Sequence, residues 1–78
     1  DAWVITGNLH MLYGELTEAI ECFDRAIALD AEKATAWYNR GLAFHMQYQP
    51  LRGCEDLRQS AELGLERATD ALIYFCAF

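Results

Sequence analysis

Cys22, Cys54, Cys76, His10 and His45 are the side chains of this sequence best suited to redox, nucleophilic or metal chemistry. The cysteines are odd in number and far apart, without the C-x-x-C or histidine-flanked spacing of a zinc or redox site. They read as buried or half-buried free thiols that behave as small apolar residues, which favours a reducing and hence cytoplasmic setting. His10 and His45 have no Cys or carboxylate cluster at ligand spacing, so no metal site is expected. No G-x-S-x-G, phosphate-binding Gly-rich turn or paired nucleophile and base occurs, so neither catalysis nor a cofactor is expected. Glu15, Glu18, Glu21, Glu55, Glu62 and Glu66 are scattered opposite apolar stripes and read as a solvated helical surface.

The elements that would position these residues are short. A chain of 78 residues is one small domain, near the size at which a single core barely offsets roughly 1.5 kcal/mol of ordering entropy per residue. With 54% of residues in the hydrophobic class there is still enough apolar material to fold. The formal net charge of -6 argues against phosphate-backbone binding, which depends on Lys and Arg displacing counterions, so nucleic acid is not an expected partner. No run approaches the 18 or so apolar residues of a membrane span, and the opening DAWVITGN lacks the basic and apolar regions of a signal peptide. The missing initiator Met points to an excised piece or a processed product.

Five helical segments follow from apolar periodicity. Asp1 to Tyr13 carries Trp3, Gly7 and His10 on one stripe, with Asp1 as its cap and Gly14 suited to its C-terminal turn. Thr17 to Leu29 is the clearest amphipathic helix, with Ala19, Ile20, Phe23, Ala26 and Ile27 on one side, Thr17 at its start and a Glu21–Arg25 pair on its surface. The third segment runs from Ala34 to about Tyr48 with Trp37, Gly41 and Phe44 along one face. Pro50 opens a fourth, Leu51 to Leu63, closed by Gly64. The fifth, Glu66 to Ala77, is apolar nearly all round, which is odd for an exposed terminal helix.

A shift of 34 residues lays the chain on itself: Trp3 on Trp37, Gly7 on Gly41, Glu21 on Glu55, Phe23 on Leu57 and Leu29 on Leu63. That period, with two helices in each unit, resembles the tetratricopeptide repeat family and its W-x-x-L-G-x-x-Y and A-x-x-x-F-x-x-A halves. Trp3, Gly7, Ala19, Phe23 and Ala26 match in the first unit, Trp37 and Gly41 in the second. Thr6 and Arg40 replace the usual Leu, His10 and Phe44 the Tyr, and Ala31 and Leu65 the closing Pro. In the second unit Gly53, Leu57 and Ser60 replace Ala, Phe and Ala, so its second helix is expected to pack more loosely. The resemblance implies an all-α array of antiparallel helix-turn-helix repeats, an α-solenoid. Its single domain spans residues 1–78, with units at about 1–33 and 34–67 and a terminal helix at about 66–77.

The matched Trp, Phe, Gly and Ala positions are scaffold, and Trp37→Ala is expected to destabilise strongly while Tyr38→Ala spares helicity. In the family, first helices line a concave groove that holds a partner peptide or helix. Carried over, the groove positions are Asp1, Val4, Asn8, Met11 and Leu12, then Thr35, Tyr38, Asn39, Leu42, His45 and Met46. Apolar anchors with Asn8 and Asn39 suit a peptide whose side chains fill pockets while its backbone meets the amides. The alternative is that neighbouring helices cover Leu12, Leu42 and Met46. Some family members grip a C-terminal carboxylate with two Asn and several basic residues; Asn8 and Asn39 match, but Val4, Thr69 and Ile73 stand where the cations would be, so that grip is weak here. The implied function is a noncatalytic protein-interaction scaffold. The competing reading is a self-association or stacking segment of a longer array, possible homo-oligomer contacts being Leu72, Ile73, Phe75 and Phe78.

Overall fold

The computed structural model describes residues 1–76. These form five helices and no strand: α1 (Ala2–Leu12), α2 (Leu16–Leu29), α3 (Ala34–Met46), α4 (Pro50–Glu62) and α5 (Glu66–Phe75). Each helix packs on the next, and α1 also touches α3. Connections of three or four residues leave successive helices no choice but to fold back on one another. Among the described residues no helix is long and apolar enough to cross a membrane.

Local chemistry sets the helix ends. The Asp1 carboxylate accepts from the backbone N–H of Trp3 at 2.8 Å and of Val4 at 3.2 Å, satisfying two otherwise orphaned donors of α1. Helix α2 starts one residue earlier than its sequence suggests. Glu15 occupies its cap position and Thr17 falls in its first turn, and the Glu15 side chain is turned to His10 Nδ1 at 2.8 Å instead of capping. Three helices close by the same turn. Gly14 at φ 75°, Tyr48 at φ 61° and Gly64 at φ 100° hold the left-handed position, and the following N–H donates back to His10, Phe44 and Ser60 respectively. This turn ends α3 at Met46 rather than at Tyr48.

Tyr48 stands in the place of a glycine, 34 residues after Gly14 and with its side chain 92% exposed. A side chain in the left-handed region costs about 1–2 kcal/mol, and this one gains little from packing. Tyr48→Gly is therefore expected to raise the urea midpoint, the gain in unfolding free energy being up to about 1 kcal/mol once glycine's extra unfolded-state entropy is subtracted. An unchanged or lowered midpoint would mean that the Tyr48 ring stabilises the turn.

The core runs between the helix pairs. Ala19, Phe23, Ala26, Ala36, Ala43, Leu57 and Ala68 are fully buried. Small residues set the spacing: a Cβ on Gly7 would stand 2.5 Å from the Phe23 ring, and one on Gly41 would stand 2.9 Å from the Gly53 carbonyl oxygen. The second unit is thus not loose, contrary to expectation. Gly53 lets the α3 and α4 backbones meet directly, Leu57 fills the space, and the buried Ser60 hydroxyl donates to the Ala34 carbonyl at 2.7 Å. Trp37, taken from the sequence as core, is half-buried, with its indole N–H donating to Ala31 O at 2.8 Å. The expected Glu21–Arg25 pair is not among the ion pairs of the described residues; Arg25 lies over the Trp3 ring at 5.1 Å instead.

Candidate functional site

Helices α1 and α3 carry the residues expected to line a groove. On α1, Val4 and Met11 are half-buried while Asn8 and Leu12 are exposed, Leu12 at 81%. On α3, Tyr38, Asn39, Leu42 and His45 are half-buried and Met46 is 49% exposed. Neighbouring helices therefore leave Leu12 and Met46 open and cover Leu42 only in part. Tyr38, Leu42 and His45 fall at i, i+4 and i+7 on one stripe. Two of them meet α5: the Arg67 guanidinium lies 5.3 Å above the Tyr38 ring, and the Phe75 ring packs 5.1 Å from the His45 ring.

Between α3 and α5 opens a cleft of about 300 Å³ lined by Tyr38, Arg67, Asp70, Ala71, Tyr74 and Phe75. It brings Tyr38, expected as a groove residue, together with Phe75, expected as a self-association residue. Val4, Asn8, Met11, Leu12, Asn39, Leu42, His45 and Met46 do not line it. The α5 residues had been anticipated only as an apolar terminal face. On that face Ala68 and Ala71 are buried, Leu72 is half-buried, and Ile73, Tyr74 and Phe75 remain 68%, 84% and 45% exposed. Phe78 and Ala77 lie outside the described residues.

A second cleft, about 430 Å³, opens among α2, α3 and α4, and Arg40 and Asp56 sit in its wall. Arg40 donates from Nη1 to Asp24 Oδ1 at 2.8 Å, from Nε to Asp56 Oδ2 at 2.8 Å and from Nη2 to Asp56 Oδ1 at 2.9 Å. The hydrogen bonds that Arg40 donates to Asp56, and secondarily to Asp24, outweigh desolvation and hold the guanidinium well above its ordinary range. Arg40 was noticeable in the sequence only as a departure from Leu, and nothing in the spacing named Asp24 and Asp56 as its partners. Arg40, Asp24 and Asp56 thus satisfy one another across three helices, and the Arg40 charge is taken up within the wall of the cleft.

The cysteines correct the sequence reading most sharply. Cys54 and Cys76 form a disulfide with Cα atoms 6.0 Å apart, so only Cys22 is a free thiol among the described residues. The inference of a reducing setting, drawn from three free thiols, loses its basis with that bond. Burial, then the neighbouring Glu21, pushes the Cys22 thiol up despite Arg25. Nor are the donors scattered in space. His45 Nε2, Cys54 Sγ and Cys76 Sγ all lie within 4.8 Å of one another, although 9 and 22 residues of chain separate successive members. Burial pushes the His45 imidazole below its ordinary value, toward the neutral form. Sequence spacing could not reveal this cluster, because the α3–α4 and α4–α5 turns create it.

A family model described as TPR repeat matches residues 7–47, more than half of the chain. No curated protein matches the sequence.

Proposed function

The chain belongs to the tetratricopeptide repeat family, and on that premise we propose that it is a noncatalytic interaction module that holds a peptide or helix of a partner protein along α1, α3 and α5. Repeats of this family generally mediate protein–protein interaction. The observation that carries the reading is the α3–α5 cleft, where the rings of Tyr38, Tyr74 and Phe75 stand beside one cation, Arg67, and one anion, Asp70. Such a surface suits a segment with an apolar or aromatic anchor: the rings supply area at low entropic cost, and the two charges orient what lies between them. In this reading Asn8, exposed on α1, and Asn39, half-buried on α3, meet the peptide backbone further along. Val4, Met11, Leu12, Leu42, His45 and Met46 extend the apolar floor in this reading.

Peptides selected from a random display library on the immobilised domain test it. Tyr38→Ala is expected to abolish capture of the selected peptides while far-UV circular dichroism stays at the parent level, because Tyr38 is half-buried and α3 is anchored through Ala36, Gly41 and Ala43. Equal capture by Tyr38→Ala would sink the groove assignment.

Self-association is the second reading, favoured by the exposure of Ile73, Tyr74 and Phe75 on the last helix. Light scattering over a wide concentration range decides between them. A concentration-independent monomer leaves the cleft free for a partner. A dimer that dissociates on Ile73→Asp makes the α5 face an interface between copies.

A further inference from the structure

We infer that the chain, once its Cys54–Cys76 disulfide is reduced, binds one thiophilic divalent cation, zinc, through Cys54 Sγ, Cys76 Sγ and His45 Nε2. A disulfide needs only its two sulfurs, yet a third soft donor faces this one. His45 Nε2 stands 3.8 Å from Cys54 Sγ, and all three ligand atoms fit within 4.8 Å. Tetrahedral zinc with Zn–S near 2.3 Å and Zn–N near 2.0 Å places two sulfurs about 3.8 Å apart and a sulfur and a nitrogen about 3.5 Å apart. The imidazole therefore already stands within a few tenths of an ångström of the required separation from one sulfur, and breaking the S–S bond lets the other sulfur move outward to match.

The surroundings hold the imidazole in place. Gly53 departs from the Ala of the repeat pattern, and a Cβ there would stand 2.5 Å from His45 Cδ2, so the glycine is what admits the ring. Phe75 packs against the ring at 5.1 Å. The three donors come from the last turn of α3, the first half of α4 and the cap of α5, so one cation would tie together α4 and α5, as the disulfide does, and add α3. Cys76 is half-buried and Phe75 is 45% exposed, which leaves an approach from solvent for a fourth ligand, a water.

The chemistry balances as follows. A phosphine reductant is oxidised to its oxide with oxygen from water, the S–S bond takes the electron pair, and the two water hydrogens end on the sulfurs as thiols. A dithiol reductant achieves the same by closing its own disulfide. Zinc then displaces both thiol protons to solvent, and the two thiolates offset its double positive charge. The oxidised and metal-bound forms exclude each other, since the same sulfur electrons serve either bond.

The test uses the Cys22→Ala chain, so that the remaining thiol contributes nothing, reduced with a phosphine under anaerobic conditions and titrated with Co2+ as a coloured probe. The expected result is visible d–d and thiolate charge-transfer absorption that saturates at a single equivalent, is bleached by Zn2+, and is missing from the oxidised chain. Cys76→Ser and His45→Phe are each expected to lose that spectrum while remaining helical by circular dichroism. A reduced chain without a thiolate–cobalt spectrum overturns the inference, as does a Cys76→Ser chain that binds as tightly as its parent. Should reduction unfold the chain, recovery of helicity on adding Zn2+ supports the site, and persistent unfolding in Zn2+ overturns it.

Discussion

Replacing Arg40 by Met costs the chain about 3–5 kcal/mol, measured by urea denaturation, because it strands a buried carboxylate. Asp56 is 5% exposed, and both its oxygens accept from the Arg40 guanidinium. Methionine matches much of the arginine stem, so the lost packing is small; the stacking of Arg40 on Trp37 at 5.0 Å and on Phe44 at 5.8 Å is a lesser contribution. What remains is a desolvated anion without its cation. The Asp24 arm adds little, since that side chain is 52% exposed and water replaces the arginine. The double variant Arg40→Leu/Asp56→Leu is expected to recover most of the loss, as apolar residues often replace a buried pair at no net cost. It also restores at position 40 the leucine typical of the repeat. A single variant within about 1 kcal/mol of the parent would mean that water reaches Asp56 and that the cluster is not a buried one.

Phe23→Ala is expected to cost about 3–5 kcal/mol, more than Trp37→Ala. Phe23 has no exposed surface, and its ring presses on the α1 backbone where Gly7 lacks a Cβ. Its removal opens a cavity bounded by backbone, which collapses poorly. Trp37 is half-buried, so its truncation leaves a surface notch that water fills, together with the loss of the 2.8 Å bond to Ala31 O, worth about 1 kcal/mol. Thermal denaturation of the two variants side by side checks the order. If Trp37→Ala melts below Phe23→Ala, the tryptophan rather than the phenylalanine is the centre of the packing.

These two results bear on function through the same frame. The Arg40 cluster joins α2, α3 and α4, and the Phe23–Gly7 contact joins α1 to α2, so together they fix α3, on which Tyr38 is displayed, and α4, against which α5 packs. A module that recognises an extended segment gains affinity from such rigidity, since less of the binding energy is spent ordering the receptor.

The sequence by itself determined the all-α class, the five helices and the repeat. Helix periodicity, the Asp1 cap, Gly14, Gly64 and Pro50 are local signals, and a 34-residue self-match is a property of the string. It also marked Gly7 and Gly41 as scaffold positions. What only the tertiary structure decided is who meets whom across helices. Tyr48 adopts a glycine's backbone because the turn geometry prevails over local preference. Arg40 finds Asp56 sixteen residues away, and Gly53 tightens a unit that its composition marked as loose. Cys54 and Cys76, 22 residues apart, become bonded neighbours beside His45. The physical reason is common to all of these: periodicity tells which face of a helix is apolar, but the partner on that face is set by the turns and by the small residues that let two backbones approach.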